Sequence, residues 1–259
     1  MKLPERTREV IENLDMTRGL FYNINNPTSE LLYFLVKLLR PKRIVEVGTA
    51  NGYSSIVMGS AARDFGGSVI TIERNGRLAE AATKNIVEAG LQDTVTVYPG
   101  SAYKVLERLT GEFEMVFLDA TKQEYLGYFE RVRDKISPNG LLLADNVISH
   151  EEELGEFIRK ISDDRRFSIS ILPVGNGLLA GVFNQQKESA EKRHISALGE
   201  LVSSAAPRIF QGTVADVRSG KIFLHNLYKK AEENSFANAK EFNEMDGYEE
   251  SLFEESLKR

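Results

Sequence analysis

Seven short apolar runs recur between Arg43 and Phe183: RIVEV (43–47), SVITIE (68–73), TVTVY (94–98), EMVFLD (114–119), LLLAD (141–145), FSISIL (167–172) and LLAGVF (178–183). Amphipathic stretches lie between the earlier runs. Leu78, Ala82, Ile86 and Ala89 fall on one helical face, and Gly90 stops that helix. Leu126, Phe129, Val132 and Ile136 share a second face ahead of a turn expected at Pro138-Asn139-Gly140. Leu154, Phe157, Ile158 and Ile161 share a third, with Glu151 to Glu153 at the positive end of its dipole. Strands that alternate with helices predict a parallel sheet covered on both faces. The last two runs are joined by Pro173 to Gly177 without a helix, which predicts an antiparallel hairpin at the sheet edge. The predicted class is therefore α/β: a doubly wound, seven-stranded, mostly parallel Rossmann-like sheet.

Two helical patterns, roughly 5–14 and 28–39, precede the sheet, and Pro27-Thr28-Ser29-Glu30 offers a cap for the second. After Phe183 the pattern changes. Residues 188–206 read as a helix (Ile195, Leu198, Leu201, Val202), 213–230 as either a hairpin or a helix, and the end is acidic. The division expected is one domain over 1–184 and a partly helical extension with an acidic tail over 185–259.

Composition narrows the classes. The chain has 259 residues, 42% hydrophobic and 27% charged, and no cysteine, which excludes disulfides and thiolate metal sites and makes the cytoplasm the default location. His150, His194 and His225 lie far apart, so a zinc site is not expected. The N-terminus has no apolar signal core, and the Leu31–Leu39 stretch is interrupted by Lys37 and too short to span a bilayer, so no membrane partner is expected. The net charge of −5 comes from the stretch after Ala231, where nine acidic residues face three basic ones, a sum of −6 that leaves +1 for the rest. The body is near neutral and neither demands nor excludes a nucleic-acid partner.

The candidate chemistry sits where runs end. In IVEVGTANGYSS (44–55), Gly48 allows a sharp turn at a strand's carboxyl end, where ligands bind in open α/β sheets, and Gly52 allows the next helix to pack closely. The spacing is Gly-x-x-x-Gly, not the Gly-x-Gly-x-x-Gly of a dinucleotide fold, which makes a nicotinamide dehydrogenase the weakest reading. Glu46 suits a positively charged ligand end and would repel a pyrophosphate. S-adenosylmethionine, with a sulfonium and no phosphate, fits better. Glu73 ends the second strand, where a carboxylate accepts hydrogen bonds from ribose hydroxyls. Gly100-Ser101-Ala102 follows the third strand and could border the adenine or serve as a helix cap.

Asp119 follows the fourth strand, Asp145 and Asn146 the fifth. Two carboxylates and an amide oxygen form a hard oxygen set that suits Mg²⁺, with Mn²⁺ or Ca²⁺ as lesser options. The plainer alternatives are that Asp145-Asn146 caps the helix near Glu151 and that Lys122 is a solvated lysine at a helix start.

The motifs EVGTANGYS, VITIE, FLDATKQEY and LLADNV, in this order and spacing, resemble the metal-dependent O-methyltransferases of the catechol and caffeoyl-coenzyme A type, a class I methyltransferase family. The resemblance covers residues 1 to about 184. It implies Glu46, Gly48, Thr49, Ser54, Glu73, Ala102 and Asp119 around S-adenosylmethionine. It also implies Asp119, Asp145 and Asn146 on the metal, Lys122 as the catalytic base, and a homodimer. Thr121, where relatives often have Asp, and Ser149-His150 depart from the pattern and bear on the acceptor pocket.

The expected reaction is metal-dependent methylation of a hydroxyl on a small catechol-like acceptor. A hydroxyuridine of tRNA is a second candidate acceptor, with Lys2, Arg6, Arg8, Arg18, Lys37, Arg40, Lys42 and Arg43 as its contacts, although the same cations suit a solvated helical face. A third reading, a cofactor-binding interaction protein that works through its acidic tail, leaves the Asp119, Lys122, Asp145, Asn146 set unexplained.

Overall fold

The computed structural model describes residues 1–16, 19 and 23–184. Its centre is one sheet of seven strands, β1 (Arg43–Val47), β2 (Ser68–Glu73), β3 (Val95–Pro99), β4 (Phe113–Leu118), β5 (Ile136–Asp145), β6 (Phe167–Leu172) and β7 (Leu178–Phe183). The spatial order is β3-β2-β1-β4-β5-β7-β6, with β1 to β5 parallel and β7 antiparallel to both β5 and β6. The doubly wound sheet and the edge hairpin are as expected.

The inner strands are continuously apolar because helices cover both of their faces. Successive residues point to opposite sides, so Ile44, Phe117 and Leu143 enter one core and Val45, Val116 and Leu142 the other. The first core is closed by α1 (Glu5–Met16), α2 (Asn26–Leu39), α3 (Tyr53–Arg63) and α4 (Gly76–Glu88), through Val10, Leu32, Ile56 and Ile86 among others. The second is closed by α5 (Ala102–Arg108), α6 (Tyr125–Val132) and α7 (Glu151–Asp163), through Leu106, Phe129 and Phe157.

Two local expectations are corrected. The cap of α2 is Asn25, whose Oδ1 accepts the Thr28 N–H at 2.9 Å, and Pro27 lies inside the first turn, where its missing N–H leaves nothing unbonded. Pro138-Asn139-Gly140 is not a turn before a strand but part of β5, which begins at Ile136. Ile136 pairs with Phe113 and Leu141 with Met115, so β5 carries the extra residues as an irregularity, with Asn139 at φ 62°. Ile136 thus leaves the helical face it was counted with. A single turn at Arg133–Lys135 ends α6, and ladder pairing claims the next residue.

The carboxyl ends of β1 to β5 form one edge, and the winding reverses between β1 and β4, where an open sheet leaves a crevice. Because Leu178 pairs with Asp145, the β6–β7 turn reaches the same edge. Its Gly177 and Asn176 carbonyls accept the N–H groups of Val147, Ile148 and Ser149 and fix the loop after β5. The expected 188–206 helix, the 213–230 stretch, the acidic end and Arg18 lie outside the described residues. Among those described, no helix is long and apolar enough to cross a membrane.

Candidate active site

Gly48 holds the loops after β1 and β4 together. Its N–H donates to Ile72 O at 3.0 Å, its φ is +101°, and a Cβ added there would stand 2.0 Å from the Asp119 carbonyl oxygen. Both the conformation and the space require glycine. Gly52, at φ +91°, would place a Cβ 3.4 Å from Ala82 of α4, an ordinary contact, so conformation decides that position more than close packing.

Glu46 is fully buried, and its oxygens are engaged by protein hydroxyls. Ser54 Oγ donates to Oε1 at 2.5 Å, and Ser55 Oγ and Thr71 Oγ1 donate to Oε2, the latter at 2.6 Å. Thr71 spends its one hydrogen on Glu46, so Thr49 Oγ1, 2.6 Å away, donates to Thr71. Glu46 therefore faces the interior and fixes Thr49 and Ser54, where the sequence suggested a direct partner for a cationic ligand. Burial pushes its carboxyl up to about 7, outweighing the hydroxyls of Ser54, Ser55 and Thr71, which pull it down. A folded pKa raised from 4.5 to about 7 means that the favourable contribution is complete below pH 4.5 and is lost as pH rises to 7. The loss is on the order of 3 kcal/mol. Stability measured by urea unfolding should fall over this window in the wild type. The fall should be shallower in Glu46→Gln, and identical slopes would refute the assignment.

Glu73 ends β2 and is nearly buried. Its Oε2 accepts the Ala50 N–H at 2.9 Å and its Oε1 the Asn75 N–H at 2.8 Å, which aims the carboxylate while each oxygen keeps a lone pair free. The Glu73 carbonyl accepts the Gly100 N–H at 2.8 Å, which brings Ser101 and Ala102, the start of α5, beside it. The side chain of Ser101 caps nothing there.

Asp119 and Asp145 each stand one step past the Leu118–Ala144 pair, on adjacent strands about 4.8 Å apart. Lys122 opens a short 3₁₀ turn, and its Nζ donates to Asp119 Oδ1 at 3.0 Å and to the Tyr125 hydroxyl at 2.9 Å. The Lys122 and Asp119 side chains are only 13% and 17% exposed, so this pair is shielded from solvent. Asp145 is 2% exposed, and its Oδ1 accepts the Asn146 N–H at 2.8 Å. Burial, reinforced by the charge of Asp119, pushes Asp145 up to about 7, and burial also raises Asp119 against the pull of Lys122. Burial keeps the Tyr125 phenol well above its ordinary range, hence protonated. Asn146 takes φ 69°, a left-handed conformation that Asn tolerates better than most residues. The helix after this loop starts at Glu151 with His150 at the cap position, so Asp145-Asn146 is not its cap.

Among the described residues no three His, Cys, Asp or Glu side chains gather as a metal cage. The set here has two carboxylates, and its third oxygen would come from an amide. Lys122 is hydrogen-bonded to the shielded Asp119 carboxylate, Asp145 beside it is buried, and a divalent cation fits such a pair of carboxylates.

A family model described as O-methyltransferase matches residues 8–182. The chain belongs to the O-methyltransferase family. Of its curated relatives, catechol O-methyltransferase of Niastella koreensis is 38% identical over 131 residues, which is 49% of this chain and 59% of that protein. Caffeoyl-CoA O-methyltransferase 2 of Petunia hybrida is 28% identical over 58% of this chain and 71% of that one. The solved O-methyltransferase of Bacillus cereus in complex with SAH superposes with a TM-score of 0.63 at 25% identity, covering 71% of this chain and 93% of the other. An SAH-bound methyltransferase of Podospora anserina gives 0.64 at 25%, covering 71% and 89%.

The residues singled out in the sequence thus lie along one sheet edge. Several supporting groups were missed. Ser55 and Thr71 share Glu46, and the backbone of Ala50 and Asn75 aims Glu73. Nothing in the sequence separates these from neighbouring small polar residues. Tyr125 lies within the FLDATKQEY motif, three residues past Lys122, a spacing that places it one turn on.

Proposed function

We propose that this methyltransferase moves the methyl group of S-adenosylmethionine to one hydroxyl of a small catechol-like acceptor, with Mg²⁺ at Asp119, Asp145 and Asn146. The observation that carries this reading is Lys122 Nζ held 3.0 Å from Asp119 Oδ1, with Asp145 on the next strand. A hydrogen-bonded amine and two shielded carboxylates at the switch point of the sheet are what deprotonation of a hydroxyl beside a cation needs. Support comes from the catechol and caffeoyl-CoA relatives and from the SAH in the solved neighbours.

When bound, a divalent cation lowers the pKa of a hydroxyl that it holds. Lys122 accepts the hydroxyl proton at Nζ. S-adenosylmethionine, held by Glu73 and the glycine turn, would supply an electrophilic methyl to the oxyanion, with the C–S electrons going to sulfur and S-adenosylhomocysteine as the leaving product. Holding both reactants in line supplies up to roughly 7–11 kcal/mol of the barrier. Glu73 binds the ribose through its free lone pairs. Gly48, Thr49, Ser54 and Ala102 line the rest of the cofactor site, and Glu46 acts through the hydroxyls it holds.

Five of the eight cations considered for tRNA are engaged within the chain, which favours the small acceptor. Arg6 donates to the Val87 and Glu88 carbonyls, Arg8 pairs with Glu5 and Glu12, and Lys37 pairs with Asp64. Lys42 donates to Phe65 O, and Arg43 to the Thr110 and Glu112 carbonyls. Tritium transfer from labelled S-adenosylmethionine, counted in a panel of catechols and in bulk tRNA, tests the reading. Label in the catechols is expected, and label in tRNA alone would overturn it.

Glu73→Ala removes two charge-assisted hydrogen bonds, each worth about 1.5–3 kcal/mol. Calorimetry should show S-adenosylmethionine binding weakened by at least tenfold, and unchanged affinity would mean that the ribose lies elsewhere. Residues 1–184 already complete the sheet, so truncation after Asn184 is expected to leave a soluble, cofactor-binding domain. An aggregated product would assign the extension to the core.

A further inference from the structure

The amine of Lys122 has more partners than a base needs, and their chemistry fixes where it points. We propose that Tyr125 is a positioning residue that aims the Lys122 amine at the acceptor hydroxyl. This inference rests on the reading of Lys122 as the base. The Tyr125 hydroxyl has one hydrogen, directed at the backbone carbonyls of Leu118 (3.1 Å) and Asp145 (3.3 Å). It therefore meets Lys122 as an acceptor, at 2.9 Å. Tyr125 Oη and Asp119 Oδ1, at 3.0 Å, each take one of the three positions around Nζ not occupied by its own carbon, so the remaining position has a single direction, away from both. Asp119 is shared with the proposed cation, which leaves Tyr125 as the partner that serves the amine alone.

The phenol can hold that direction because it cannot move. Tyr125 is completely buried, its ring meets Phe157 edge-on at 5.7 Å, and Phe157 in turn meets Phe129 edge-on at 5.9 Å. The Leu118 and Asp145 carbonyls to which it donates belong to the tips of β4 and β5, so the hydroxyl is referenced to the strands that present both carboxylates. Lys122 Nζ also lies 5.1 Å from the ring centroid, which confines the side chain further. A phenylalanine would fill the same space and keep the ring contacts while losing the acceptor of the Lys122 amine and the donor to the Leu118 and Asp145 carbonyls.

The competing role is structural, a tie between two strand tips. A double-mutant cycle on the full chain separates them, using saturating S-adenosylmethionine and Mg²⁺ and the catechol of the panel with the fastest wild-type turnover. Tyr125→Phe should lower kcat by roughly 10–100-fold with KM for the cofactor unchanged, the size of loss that a small misplacement of a reacting group causes. In a Lys122→Ala background the same substitution should change kcat by less than about twofold, because the interaction is already gone. Equal losses in both backgrounds would assign Tyr125 to strand-tip structure and overturn the proposal. If Lys122→Ala keeps full activity, the base reading fails instead. A second measurement does not depend on turnover. In lysine side-chain ¹⁵N NMR the Lys122 Nζ resonance should be resolved and slow to exchange in the wild type, and broadened by exchange in Tyr125→Phe. An unchanged resonance would overturn the proposal as well.

Discussion

Methyl transfer should stop in excess EDTA and return on addition of Mg²⁺, and Asp145→Ala should bring turnover below detection while S-adenosylmethionine still binds. The reasoning begins with charge. Asp119 and Asp145 sit at adjacent strand tips with Lys122 as the cation hydrogen-bonded to Asp119, and burial lifts both carboxyls, Asp145 up to about 7. Such a pair is poorly stable as two anions without a cation. The alanine removes a carboxylate whose ionisation burial disfavours, so the fold should tolerate it, and a near-native melting temperature is the control. Cofactor binding should survive because Glu73 and the glycine turn belong to β1 and β2, on the far side of β4 from Asp145. Calorimetry with S-adenosylmethionine and a tritium-transfer assay, each with and without chelator, read the two arms. Full activity in excess chelator would sink the metal assignment.

The second large effect falls on Lys122. Lys122→Ala and Lys122→Arg should both lower kcat by roughly 10²–10⁴-fold, the usual contribution of a general base. Arginine keeps the charge and reach, but its guanidinium does not deprotonate in the working range. Affinity for the cofactor should be nearly unchanged. Raising the pH should partly rescue the alanine variant, since hydroxide then takes the acceptor proton. Were Lys122 present only to neutralise Asp119, 3.0 Å away, arginine would retain most activity and pH would not rescue alanine. A pH–rate profile of the three proteins at saturating Mg²⁺ distinguishes the two outcomes.

Much of this molecule is legible in its sequence. The apolar runs from Arg43 to Phe183 mark all seven strands to within a residue or two, except for the early start of β5; the inner strands are apolar throughout because both of their faces are buried, while the edge strands β3 and β6 are only partly buried. The absence of a helix between β6 and β7 already predicts their antiparallel pairing. Parallel strands send their carboxyl ends to one edge, so Glu46, Glu73, Asp119 and Asp145 could be placed together from strand order alone.

Tertiary structure decided what those residues touch. Glu46 and Glu73 read alike in sequence, each a carboxylate near the end of a strand. Glu46 is closed in by Ser54, Ser55 and Thr71, whereas Glu73 is aimed by two backbone N–H groups with lone pairs to spare. The helical spacing that runs through Ile136 was overruled by a ladder pair with Phe113, a partner 23 residues away. The left-handed turn at Asn146, and Tyr125 as the second partner of Lys122, likewise depend on contacts across β4 and β5. Hydrophobic periodicity reports which face of an element is buried, because burial is a property of each position averaged over its surroundings. Hydrogen bonds are short, directional and specific to one pair of atoms, so their partners are set only when the strands have docked.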